Sequence, residues 1–296
     1  MAKAKFLIVL VATSTLFLSG CSSTEIDLGP EDLAQPAGAA TVTPEQTESA
    51  ESKEETDSGE FDFSNPPFEA AVYVSPDVLT PESPSDFLEL SAAKSEERSS
   101  FDRRANDWVF QTMHVITASF RCSADVEILV NKEFDPAEAR EHAARYARIL
   151  GQIPLGARTN IQELWIHAGD LPFGGGNESI LIHTGLADKE AQFLEELFIH
   201  ESAHTSLDPE FDGAVDAELW AQAAMRDPQF VSTYAADYPD TEDIAESFGA
   251  FQLWATAKGV ESLGAEAKLV SAVIPSRLAY FESLGSSFMP FTGNCE

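Results

Sequence analysis

Between Ser22 and about Asn65 the chain is built of Glu, Ser, Thr, Ala, Pro and Gly with almost no aromatic residues, as in Thr43-Pro44-Glu45 and Glu51-Ser52-Lys53-Glu54-Glu55. Such a stretch cannot bury enough apolar surface to offset the conformational entropy lost on folding. It reads as a disordered tether, extended by repulsion among its own carboxylates. Folding is thereby confined to residues 66–296. Phe68 to Val74 alternates weakly and Pro76, Pro81 and Pro84 interrupt it, so the ordered start falls between 66 and 100.

Charge follows the same division. Residues 22–100 hold 19 acids against 3 bases, and residues 101–296 hold 31 against 13. The net charge of −32 excludes nucleic-acid binding by charge attraction. With 44% apolar and 10% aromatic residues, the downstream part still has the makings of a globular core.

The first twenty residues form a segment of their own. Lys3 and Lys5 precede a mostly apolar run from Phe6 to Leu18, which is shorter than the roughly 20 residues a membrane-spanning helix needs. Leu18-Ser19-Gly20-Cys21 then resembles the end of a bacterial lipoprotein signal. The resemblance implies cleavage before Cys21, lipid attachment at Cys21 and, with Ser22 following, an outer-membrane destination. Residues 1–20 are then signal peptide and 21–65 tether. Of three cysteines, Cys122 and Cys295 remain, and in an oxidising compartment the pair is expected to form a disulfide tying the C-terminus to the domain.

From residue 101 the pattern reads as helices, a small sheet, then helices, an α+β arrangement. Phe101 to Phe120 is expected to be a helix, with Trp108, Val109, Thr112, Val115, Ile116 and Phe120 at near-helical spacing. Asp135-Pro136 marks another helix start and Gly151 its end. Ile161 to His167 and Ser179 to His183 read as strands around Gly174-Gly175-Gly176. Helices are expected over 188–206, 213–226 and 240–257, the last capped by Asp240 or Thr241, with two more near 264–284.

The chemistry lies in His200-Glu201-Ser202-Ala203-His204. Residues four apart stand above one another on a helix, so two imidazoles face one point. That is half a tetrahedral zinc site, with Glu201 on the flank where it reaches the water in the open metal position. In a chain of this length and composition a chance match comes to roughly one in a hundred. A third ligand is required. Glu210 lies ten residues after His200, but Leu207 stands where the sharp turn of that arrangement needs glycine, and Asp208 and Asp212 fall in the exit turn made by Pro209. Glu242 and Glu246 share a later helix face. The first can bind zinc while the second accepts the free ring N–H of a ligating histidine, with Glu246 the alternative ligand.

His200-Glu201-x-x-His204, then Ser232-Thr233-Tyr234-Ala235, then Glu242-x-x-Ala245-Glu246-Ser247-Phe248 resembles the gluzincin metallopeptidases, most closely the anthrax lethal factor and Pro-Pro endopeptidase group. The resemblance spans about residues 190–256. It implies a zincin-like fold and Zn2+ held by His200, His204 and Glu242. It further implies Glu201 as general base, Glu246 behind a histidine and Tyr234 as the tyrosine that steadies the transition state. Asp243-Ile244 replaces two aromatics and the tyrosine-to-glutamate gap is one residue longer, which makes Tyr238 the rival of Tyr234. The function implied is peptide-bond hydrolysis in the cell envelope. The alternative is a catalytically inactive, zincin-like surface lipoprotein serving as a binding module. Ile180-Leu181-Ile182 is expected to be the sheet edge that pairs with substrate, and the triple glycine its rim. His167, His183, His114 and His142 read as structural, the last two on helices. The oligomeric state is left open.

Overall fold

In a computed structural model of the protein, residues 63–71 and 75–295 are described. The signal peptide, lipidation of Cys21 and the tether up to residue 62 lie outside the described residues. The order begins with β1 (Phe87–Leu90), β2 (Lys94–Asp102), β3 (Asp107–Phe120) and β4 (Val126–Asn131). Residues 101–120 are therefore the end of β2, a turn and β3, not a helix, and His114 sits on a strand. From Met113 onward the cause is burial on both faces. Met113 and Val115 are buried on one side of β3 and Ile116, Ala118 and Phe120 on the other, so apolar residues fill both parities and imitate a helical period. The β-branched Thr112, Val115, Ile116 and Thr117 suit the pleated backbone.

Helix α1 (Pro136–Leu150) starts as its sequence implies. Asp135 accepts the N–H groups of Ala137 and Glu138, and Glu138 accepts that of Asp135. Then come β5 (Glu163–His167), β6 (Gly174–Gly176) and β7 (Ser179–His183). The seven strands run in the order β1-β3-β4-β5-β7-β6, with β2 also paired to β3. β4, β5 and β7 are parallel, whereas β6 returns antiparallel to β7. Thus Ile180-Leu181-Ile182 is interior, and the glycine strand is the edge. Asn177 and Glu178, with φ of 49° and 61°, close the tight hairpin that turns β6 into β7. Three glycines carry no apolar period by which a strand could be read.

Seven helices follow among the described residues: α2 (Thr184–Lys189), α3 (Leu194–Ser206), α4 (Ala217–Ala224), α5 (Thr233–Asp237), α6 (Asp243–Thr256), α7 (Gly264–Val273) and α8 (Pro275–Ser283). The fold is α+β, with a mixed sheet. α1 and α3 cover one sheet face over Ile128, Val130, Leu164, Ile166, Ile180 and Ile182, and α6 packs on α3. Phe198 of α3 is fully buried between Tyr146 and Phe173. Burying such a ring is worth about 1.5–3 kcal/mol, which fixes the rotation of α3 and so the direction of the histidines after it.

Over the other sheet face the β2–β3 hairpin curls down, setting Trp108 edge-on to Trp165. His167 and His183 lie there fully buried beside Asp102, away from α3. Burial holds both imidazoles toward the neutral form, His183 down to about 4. At the far end Cys122 and Cys295 form the expected disulfide. Among the described residues no helix is long and apolar enough to cross a membrane.

Candidate metal centre

Helix α3 is buried almost all round, from Leu194 to Ala203 and again at Thr205 and Ser206. A helix so enclosed must satisfy its polar side chains internally. His200 does so through Nδ1, 3.1 Å from Glu246 Oε1, and His204 through Nδ1, 2.8 Å from Asp208 Oδ2. With each Nδ1–H donating to a carboxylate, a neutral ring presents its Nε2 lone pair on the opposite side.

Those two lone pairs meet. His200 Nε2 and His204 Nε2 are 3.1 Å apart, and Glu242 Oε2 lies 3.3 and 3.2 Å from them. Glu242 Oε2 is buried, with the two imidazole nitrogens as its ion-pair neighbours. Three acceptors crowded together repel unless protons or a metal ion sit among them. A tetrahedral ion with bonds of about 2.0–2.1 Å separates its ligands by about 3.3 Å, so the donor set fits zinc in both chemistry and spacing. Among the described residues His200, His204 and Glu242 are the group whose ligand atoms all approach one another in this way.

The protonation equilibria express the same demand for positive charge. Burial opposes charging of His200 and His204, but Glu242 with Glu246, and Asp208 with Glu242, outweigh it: His200 is held well above the usual histidine range and His204 rises to about 9. Burial likewise opposes ionisation of Glu242, yet the two histidines hold it well below the usual carboxylate range.

Glu242 occupies the position just before α6, and neither Asp240 nor Thr241 caps that helix with its side chain. Its place is set by Asp243, whose Oδ2 accepts from Trp220 Nε1 at 3.0 Å and from the buried Arg277 Nε at 3.1 Å. Arg277 in turn bonds Asp227 at 3.0 Å. One turn on, Glu246 accepts from Ser232 Oγ at 2.6 Å and from His200, the role its spacing implied.

Glu201 is buried next to His200, and its charge bears on both His200 and Tyr234. Tyr234 is half-buried on α5, where burial and the Glu242 carboxylate push its hydroxyl well above the usual range. Tyr238 is 55% exposed; its ring meets the Tyr234 ring at 5.3 Å, and its carbonyl accepts the Glu242 N–H at 2.8 Å. Tyr234 is the better placed of the two.

Strand β6 closes the other side. A Cβ on Gly175 would stand 2.2 Å from Glu201 O and 2.8 Å from His204 Cβ, so only glycine lets the edge strand lie against α3. Gly176 N–H donates to Thr205 Oγ1 at 2.9 Å and fixes that contact. Asp208 lies in the exit turn, as its sequence implied, but its contact with His204 was missed. An acid four residues beyond His204 was its signal. Glu210 and Asp212 stay outside the group. Comparison of the chain with protein-family models, with curated proteins and with solved structures finds no match.

Proposed function

We propose that this chain is a zinc-dependent peptidase of gluzincin type, with a zincin-like domain held in the cell envelope by a lipid on Cys21. The observation that carries the reading is the convergence of His200 Nε2, His204 Nε2 and the buried Glu242 Oε2 within 3.1–3.3 Å, behind which Glu246 and Asp208 fix both imidazoles. Glu201 beside the first histidine is what separates hydrolysis from other two-histidine, one-carboxylate chemistry.

His200, His204 and Glu242 would hold the ion. Bound zinc supplies a lowered pKa for water at the site and polarises the scissile carbonyl. Glu201 takes the proton from the attacking water and delivers it to the leaving amine. The Tyr234 hydroxyl, kept protonated by burial and by Glu242, donates to the oxyanion of the tetrahedral intermediate. β6 ends the strand order beside α3, so an extended peptide adding to it would be laid across Glu201 and His204. The acidic surface favours basic or neutral peptides over acidic ones.

The test is a randomised peptide library incubated with the full-length protein and read by mass spectrometry. Cleavage that stops on chelation and returns with zinc supports the reading. A zinc-loaded protein that cuts nothing supports a binding module instead.

A further inference from the structure

We propose that Phe68 to Ala70, where the tether meets the domain, form a strap that positions Tyr234, an inference resting on the peptidase reading above. Tyr234 lies in the first turn of α5, a helix of five residues. So short a helix does not persist on its own, and its first N–H groups have no partner within it. Ser232 Oγ accepts one of them, from Ala235, at 3.0 Å. The strap accepts two more. Thr233 N–H donates to Phe68 O at 2.9 Å and Tyr234 N–H to Ala70 O at 3.4 Å, while Ala70 N–H donates back to Thr233 Oγ1 at 2.8 Å.

The strap thus runs parallel to the start of α5, bridging Phe68 to Ser232, and completes a cap that α5 lacks. Phe68 packs against the core and anchors it. Ala70 takes a φ of 55°, a left-handed conformation that costs an alanine energy and that neighbouring bonds must hold in place. The same Ser232 also donates to Glu246, which holds His200, so cap, tyrosine and metal ligand share one hydrogen-bonded chain. The residues after the tether are therefore part of the site rather than a spacer.

Ala70→Pro tests this in the full-length protein, because proline has no N–H and cannot adopt a positive φ. Ala70 is exposed, so the core is spared. The expected result is a fall in kcat of about tenfold or more, toward the roughly 10²-fold loss expected of Tyr234→Phe, with KM and zinc affinity little changed. Ala70→Gly, which accepts the same φ, keeps full activity. The double variant Ala70→Pro/Tyr234→Phe loses no more than Tyr234→Phe alone. An unchanged kcat in Ala70→Pro, or additive losses in the double variant, overturns the proposal. Amide exchange at Thr233 and Tyr234 separates the strap from the chemistry. Exchange at least about tenfold faster in Ala70→Pro supports the strap even if the native protein cuts no peptide, in which case the peptidase reading falls; unchanged exchange overturns the strap itself.

Discussion

The ring Nδ1 of His204 and the Asp208 carboxylate, 2.8 Å apart, stand one helical turn from each other on either side of the end of α3. The contact fixes the imidazole tautomer and would raise its basicity toward a bound metal. Asp208→Ala is expected to weaken zinc binding by about 10–100-fold in a competitive chelator titration. Asp208→Asn, whose amide oxygen still accepts the Nδ1–H, should weaken it less.

Strand β6 owes its place to glycine at one position more than at its neighbour. In Gly175→Ala the new Cβ meets backbone, Glu201 O at 2.2 Å, which cannot yield without moving β6 or α3. A stability loss of about 1–3 kcal/mol by urea titration is expected, with a fall in kcat/KM beyond what unfolding explains. In Gly174→Ala the close atom is Arg103 Nη2, the far end of a flexible chain, and the loss should stay below about 1 kcal/mol.

Glu196 is buried one turn before His200 beside a cavity of about 10 Å³, room for a single water, that His200 and Glu246 also line. Its Oε2 has no partner, and Leu79 N–H reaches only Oε1, at 3.5 Å. Burial raises its carboxyl from 4.5 to about 8. Folded, the group keeps its proton where the unfolded chain has released it. Its stability contribution is therefore greatest below about pH 4.5 and is lost as the pH rises to about 8. Relative to Glu196→Gln, the native protein should lose stability across this interval, on the order of a few kcal/mol at most, in denaturant titrations at stepped pH.

The Cys122–Cys295 bond joins residues 173 apart in sequence and so removes much freedom from the unfolded chain. Reduction, or Cys295→Ser, should lower stability by about 2–5 kcal/mol, measured as a fall in Tm with and without reductant. Neither cysteine belongs to the His200, His204 and Glu242 group, so zinc stoichiometry at 25 °C should not change.

The centre was legible because its spacing is local. His200, Glu201 and His204 lie within five residues, and Glu242 and Glu246 within another five, so helical geometry alone decides which groups share a face. What joins the two helices is not local. Asp243, Arg277, Trp220 and Asp227 meet from four separate segments, and no spacing in the chain announces that array. The cap supplied by Phe68 and Ala70 is likewise invisible, since it lies 163 residues from the Thr233 hydroxyl it donates to. Strand β3 misled for the opposite reason: its signal was strong, but from Met113 onward it is buried on both faces and has no alternation to display. Strand β6 had no signal, because glycine contributes neither apolar face nor β-branching.

The central claim is one zinc ion at His200, His204 and Glu242 with Glu201 as the proton carrier, and Glu201→Gln tests it most directly. Zinc content and peptide hydrolysis are measured on the same preparations of native and variant protein. The expected result is one zinc per chain in both, with hydrolysis in the native protein and a loss of several orders of magnitude in the variant. A native protein that takes up no zinc on reconstitution, or a zinc-loaded Glu201→Gln that cleaves as fast as the native chain, would contradict it.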